Sequence, residues 1–309
     1  IASKVVTTDA NIDTTGQRNL TITGELDAAT LDISGDADID GALSTDGLTV
    51  AGNVSIDGGT IKLDGNHPTG TRNLAYGNTA LDDGSLSGAD NIAIGHAALT
   101  ANTSGSNNTA IGSRTLQANT TAGSSTAVGN CALATSSTGS LNTAVGVSSM
   151  RFNTTGSQNA GFGVNALEAN TEGDNNTAVG VSALGTNTTA DNNTAVGHSA
   201  LAANTTGTPN TAVGYQALLV NTTGSNNTGI GYQSLKANVS GARNTAIGHG
   251  TLGLNVSGLC NIAIGQVALS KNTVSNNVAI GANAMEENTT GANNTAVGTC
   301  ALKANTTAT

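Results

Sequence analysis

Residues 193–214 read Asn193-Thr-Ala-Val-Gly197-His-Ser-Ala-Leu201-Ala-Ala-Asn204-Thr-Thr-Gly207-Thr-Pro-Asn210-Thr-Ala-Val-Gly214. The pentapeptide that opens this stretch also closes it, 17 residues later. Working outward, the closing glycine returns at Gly77, Gly95, Gly112, Gly129, Gly146, Gly163, Gly180, Gly197, Gly214, Gly231, Gly248, Gly265, Gly281 and Gly298. Every step is 17 residues except the first, of 18, and Gly265 to Gly281, of 16. A fixed period of this length is the mark of a repeat architecture.

Each phase of the repeat has its own chemistry. Asn stands four before the glycine in every copy but one, where Ser125 replaces it. The residue two before never exceeds Ala, and the residue one before is Val or Ile, or Tyr76 or Phe162. Four after it is Leu, or Met150 or Met285, the two methionines of the chain. Seven after it, from Gly95 onward, is Asn, with Ser136 the exception. Thr and Val beside Gly and Asn are poor helix formers. Thr-Ala-Val has strand alternation, and Asn-Thr-Thr-Gly has a turn composition.

The expected fold is all-β: a parallel β-solenoid, or β-roll, of about 14 coils over residues 71–309. Stacked at about 4.8 Å, the coils span roughly 65 Å. The reading places Val/Ile and Leu ladders inside, with the Ala-Leu phase as a second short strand. Thr is expected to point inward with Val. Few core side chains per coil leave little stability, and a position held to Ala implies close packing against another chain, hence an oligomer.

Residues 1–70 differ. Leu-Thr-Ile-Thr-Gly, Leu-Asp-Ile-Ser-Gly, Leu-Thr-Val-Ala-Gly, Val-Ser-Ile-Asp-Gly and Ile-Lys-Leu-Asp-Gly follow one another between Leu20 and Gly65. They read as a β-stranded stem of very short strands, with residues 66–72 as the junction.

Composition excludes several functions. Of 309 residues 41 are Gly and none is Trp, aromatics are 2% and charged residues 10%, against about a quarter charged in ordinary domains. The net charge is −10, and 11 of the 20 acidic residues lie before residue 71. With no basic stripe, no nucleic-acid partner is expected. No apolar run nears the roughly 20 residues that cross a bilayer, so no membrane insertion is expected. Cys131, Cys260 and Cys300 show neither metal-ligand nor disulfide-framework spacing. Gly161-Phe162-Gly163 is the repeat itself, not a nucleotide loop. Glu168, Glu172 and Asp174 read as a solvated charge cluster rather than a glycosidase pair. The Asn-Thr-Thr triplets read as ladder positions rather than glycosylation sites. No enzyme, metal or cofactor is expected.

One surface feature stands out. The phase directly after the glycine carries His198, Tyr215, Tyr232 and His249 in four consecutive coils, and Gln216 and Gln233 follow the tyrosines. Stacking aligns these six residues as a candidate receptor-contact strip, suited to sugars; the alternative is a ladder that supports only its own stacking.

The stem segment from Gly41 to Asn53 (GALSTDGLTVAGN) resembles the shafts of bacteriophage tail fibres. The Asn-Thr-Ala-Val-Gly repeats resemble those of tail-fibre-like phage proteins. They are also similar to the Ser-Val-Ala-Ile-Gly units in the heads of trimeric autotransporter adhesins, which form trimeric β-rolls. The resemblance implies a homotrimeric, extracellular fibre of a phage virion, a spacer joined by its N-terminal end to other tail proteins and contacting host-surface polysaccharide. A trimeric bacterial adhesin is the neighbouring reading, with a membrane anchor expected beyond Thr309. An ice-binding solenoid is the reading from another class, since flat Thr arrays order water; the interruption of the Thr phase by Leu74, Ile92, Ala160, Ile262 and Val278 and the inward Thr expected here argue against it.

Overall fold

The computed structural model describes residues 72–307; the stem expected at residues 1–70 lies outside them. The described residues form a parallel β-solenoid with no helix. Fourteen three-residue strands, β1 (Leu74–Tyr76) through β14 (Thr295–Val297), make one sheet in strict chain order. Each strand is the Thr-Ala-Val phase, paired parallel and in register with the next: Thr194 lies on Thr211, Ala195 on Ala212 and Val196 on Val213.

The alternation is as the sequence predicts, but its sense is reversed. Ala110, Ala178 and Ala195 are fully buried, whereas Ile111 and Val179 are each 38% exposed. Ala faces the interior; Thr and Val/Ile face out. The restriction to Ala is therefore internal packing rather than contact with another chain. The two glycines at this phase show how little room there is. A Cβ on Gly161 would lie 2.8 Å from Ser149 Oγ, and one on Gly229 3.1 Å from Ser234 Oγ. The opposite wall leaves space for one methyl group.

That wall is not a second strand, as expected from the Ala-Leu phase, but a run of turns. Its leucines are left-handed: φ is 51° at Leu167, 50° at Leu201 and 51° at Leu218. Forty non-glycine residues among those described have positive φ, three in most coils, although an L-residue in this region is strained by roughly 1–2 kcal/mol. The reversals point Leu inward on a very short path. The wall is still hydrogen-bonded from coil to coil, as in Leu201 N to Ala217 O at 3.0 Å and Leu218 N to Ser234 O at 2.9 Å.

The marker glycines occupy a conformation that side chains avoid. Gly197 has φ 133°, and a Cβ on it would lie 2.5 Å from the carbonyl oxygen of Gly214. The glycine stack is thus a backbone-to-backbone seam.

Asparagines fill the rest of the interior. Asn210 and Asn221 come from opposite sides of one coil, and both Nδ2 groups donate to Gly224 O, at 2.8 and 2.9 Å. Asn227 and Asn238 do the same to Gly241 O. Each Oδ1 accepts from the neighbouring coil: Asn227 N reaches Asn210 Oδ1 at 2.9 Å, and Asn238 Nδ2 reaches Asn221 Oδ1 at 2.7 Å. Both lone pairs of one carbonyl and most of each amide are satisfied without water, which is what burial of such groups requires. Asn221 and Asn238 also stand in formal glycosylation triplets, and their burial makes them struts.

Candidate functional site

The site grows out of the glycine seam. After each strand the chain turns at the marker glycine, and the next side chain projects over the corner of the coil. The following residue is left-handed, at φ 54° in Gln216 and 53° in Gln233. With the coils in register, side chains of this phase form a rank along the solenoid.

In that rank the four rings stack. The centroid distances are 5.4 Å for His198–Tyr215, 5.2 Å for Tyr215–Tyr232 and 5.1 Å for Tyr232–His249, and the planes of neighbouring rings lie within 23° of one another. Gln233 Nε2 donates to Gln216 Oε1 at 2.8 Å, a second ladder beside the first. The Ser199 hydroxyl lies 3.0 Å from His198 Nδ1. All six residues singled out in the sequence are therefore brought together.

Their geometry modifies the chemistry. Tyr215 and Tyr232 are 43% and 47% exposed, but each has a ring on both of its faces. What they offer solvent is mainly the ring edge and the phenol hydroxyl. Only the outer faces of His198 and His249 are left at the ladder's ends. The strip can hydrogen-bond a row of hydroxyl groups better than it can stack a sugar ring.

The sequence reading misses how far the strip extends. Val147, Val164 and Val181 occupy the same phase in the three preceding coils and are also exposed. Their signal is plain once the repeats are set beneath one another, but valine carries none of the chemistry that draws attention to histidine and tyrosine. On the other side of the seam the outward residues are Val145, Phe162, Val179, Val196, Val213, Ile230 and Ile247. Seven consecutive coils thus present apolar or aromatic side chains on both flanks of the glycine stack.

The remaining candidates have structural roles or none. Asp174 Oδ1 accepts from Ser157 N at 2.6 Å, and Asp174 N donates to Asp191 Oδ1 at 2.7 Å, so these carboxylates cap turn backbone. Cys131, Cys260 and Cys300 are free thiols in separate coils. Among the described residues no group of three or more His, Cys, Asp or Glu could hold a metal ion, and no helix is long and apolar enough to cross a membrane. No family model, no curated protein and no solved structure matches the chain.

Proposed function

We propose that the chain is a structural protein of a homotrimeric adhesive fibre, of the phage tail-fibre kind, acting as a spacer and contacting host-surface polysaccharide. The N-terminal stem would join it to other virion proteins. The observation that carries this reading is the outward face of the sheet. A coil buries one Leu or Met and a few alanines, and turns its Val or Ile to solvent in an unbroken rank. Aliphatic side chains held in register outside a core this thin are best explained by burial against copies of the same surface. The face measures about 60 Å by 10 Å, or roughly 600 Å², near the roughly 800 Å² that each partner contributes to a standard interface. Threefold closure would cover all the copies at once.

Light scattering on a sizing column tests this directly. The expected mass is about three times 30.1 kDa. Val179→Lys with Val213→Lys, both outward and therefore compatible with the coil, should reduce it to one chain. A folded wild-type monomer at micromolar concentration would overturn the reading. For the host contact, Tyr215→Ala with Tyr232→Ala should keep the trimer and lose adhesion.

One observation favours a second reading. Thr faces outward, removing the objection raised by an inward Thr. Thr177, Thr194, Thr211, Thr228 and Thr245 form an uninterrupted row beside Val179, Val196, Val213, Ile230 and Ile247. Such a two-row array, spaced about 4.8 Å along and about 6.6 Å across, is a surface on which an ice-binding solenoid could order water. The same face cannot be buried and meet ice. A monomer with thermal hysteresis would select this reading, and a trimer without it the first.

A further inference from the structure

The coil that begins at Gly248 departs from the repeat in one way that leaves a mark on the surface. Two and five residues after the marker glycine, the neighbouring coils carry Gln233 and Lys236 on one side and Val267 and Ser270 on the other; here both positions are glycine, Gly250 and Gly253. Neither is required by the backbone. Gly250 has φ 63°, close to the conformation that Gln216 and Gln233 adopt with side chains. A Cβ on Gly253 would meet nothing nearer than Gly250 O at 3.1 Å, and one on Gly250 only Val267 Cγ1 at 3.3 Å. What the two glycines supply is space.

The space is an open notch of about 330 Å³, with Gln233 and Lys236 on one wall, Ser270 and Lys271 on the other, and Leu254 beside the glycines. Leu254 is 56% exposed. In chain order the notch directly follows His249, the last ring of the ladder. Its charge opposes that of the chain, which is −10 overall. Lys271 Nζ is held by Glu287 Oε2 at 2.6 Å, while Lys236 has no ion pair among the described residues.

We propose that this notch is a subsite for one carboxylated sugar residue, a uronic or sialic acid, of an anionic polysaccharide. Leu254 and the glycine methylenes give the C–H face of a pyranose an apolar floor. The Lys236 ammonium is the cation for its carboxylate, and Gln233 and Ser270 face its hydroxyls. The residue bound here would lie at the end of the ring ladder, along which the rest of the glycan could run. The proposal rests on the host-surface reading above and specifies its ligand. One subsite of this kind binds weakly, and three copies in a trimer would multiply its effect through effective concentration.

The test uses the full chain with trigalacturonate, its methyl ester and sialyllactose, read by calorimetry and ligand-observed NMR. At least one acid is expected to bind with a millimolar or tighter Kd, and the methyl ester about tenfold more weakly than trigalacturonate if that is the acid bound. Gly250→Gln with Gly253→Gln, which fills the notch with a side chain the repeat already carries, should abolish binding while the protein stays folded, with a modest fall in melting temperature from the left-handed side chain at position 250. Lys236→Gln should weaken it about tenfold, the loss expected when a charged hydrogen bond is removed. The proposal fails if neither acid binds, if the ester binds as well as the acid, or if the filled variant binds like wild type. Light scattering on the same samples keeps the two readings apart. A trimer that binds neither acid removes the subsite alone, and a monomer removes the fibre whatever it binds.

Discussion

Gly197 shows what a single residue can decide in this protein. Its φ of 133° is open only to glycine, and the next coil's carbonyl stands 2.5 Å from where a methyl would be. Gly197→Ala is therefore expected to cost about 3 kcal/mol or more, in the range of strained backbone plus overpacking, seen as a large drop in the urea midpoint. Val267 is the opposite case, a β-branched residue held at φ 48°. Val267→Asn should stabilise by about 1 kcal/mol, because Asn tolerates this region far better; an unchanged melting temperature would show that the strain is relieved locally. At this scale the sequence was legible in its phases and not in their sense. Strand alternation joins Thr194 with Val196 against Ala195, but does not say which side is inside. Hydrophobicity points to Val. Only the narrowness of the coil, set by left-handed leucines that no composition announces, gives the interior to Ala.

The coil is the element, and the asparagine pair is its strut. One coil lacks the pair: Ser125 and Ser136 occupy the two positions that would converge on Gly139 O. Ser136 reaches that carbonyl only at 3.4 Å, and Asn119 Oδ1, which an amide at position 136 would have met, is left buried without a partner. Ser125→Asn with Ser136→Asn should restore the ladders and stabilise by about 1–3 kcal/mol, read from the denaturation midpoint; destabilisation would mean that this coil is too tight for amides. The 16-residue coil has a related defect. Asn272 Nδ2 turns to Val274 O at 2.7 Å, and Asn255 Oδ1 goes unpartnered. Both irregularities show in the sequence as breaks in the repeat, but their cost is a matter of which carbonyl each amide reaches. The last coils also respond to acid. Asn283 Nδ2 and then Lys303 hold the Glu286 carboxyl below its ordinary range. Because the folded pKa is depressed, this contribution is present above the ordinary carboxylate pKa and is lost as pH falls through the lowered value. Amide protection factors, corrected for the intrinsic slowing of exchange in acid, should therefore fall in the last coils before they do in the middle coils as pH drops below the ordinary carboxylate range, and Glu286→Gln should abolish the difference.

At the scale of the whole solenoid, each coil touches only its neighbours, so stability is a sum of coils and interfaces rather than the property of one core. The repeat and the parallel sheet could be read from the sequence because fourteen copies average out local ambiguity. The outward Val and Ile rank could not, for the reason given by Val196. The hydrogen bonds between coils run along the stacking direction, so a chain held at its two ends is loaded in the direction in which it opens. It should part like a zip, one coil after another, each releasing 17 residues and lengthening the chain by about 50 Å. A force-extension trace should show even steps of that size, beginning near the serine coil; one large rupture would contradict it. A solenoid built this way can lose one coil under strain and keep the rest, giving ground in small measures where a globular domain would fail all at once.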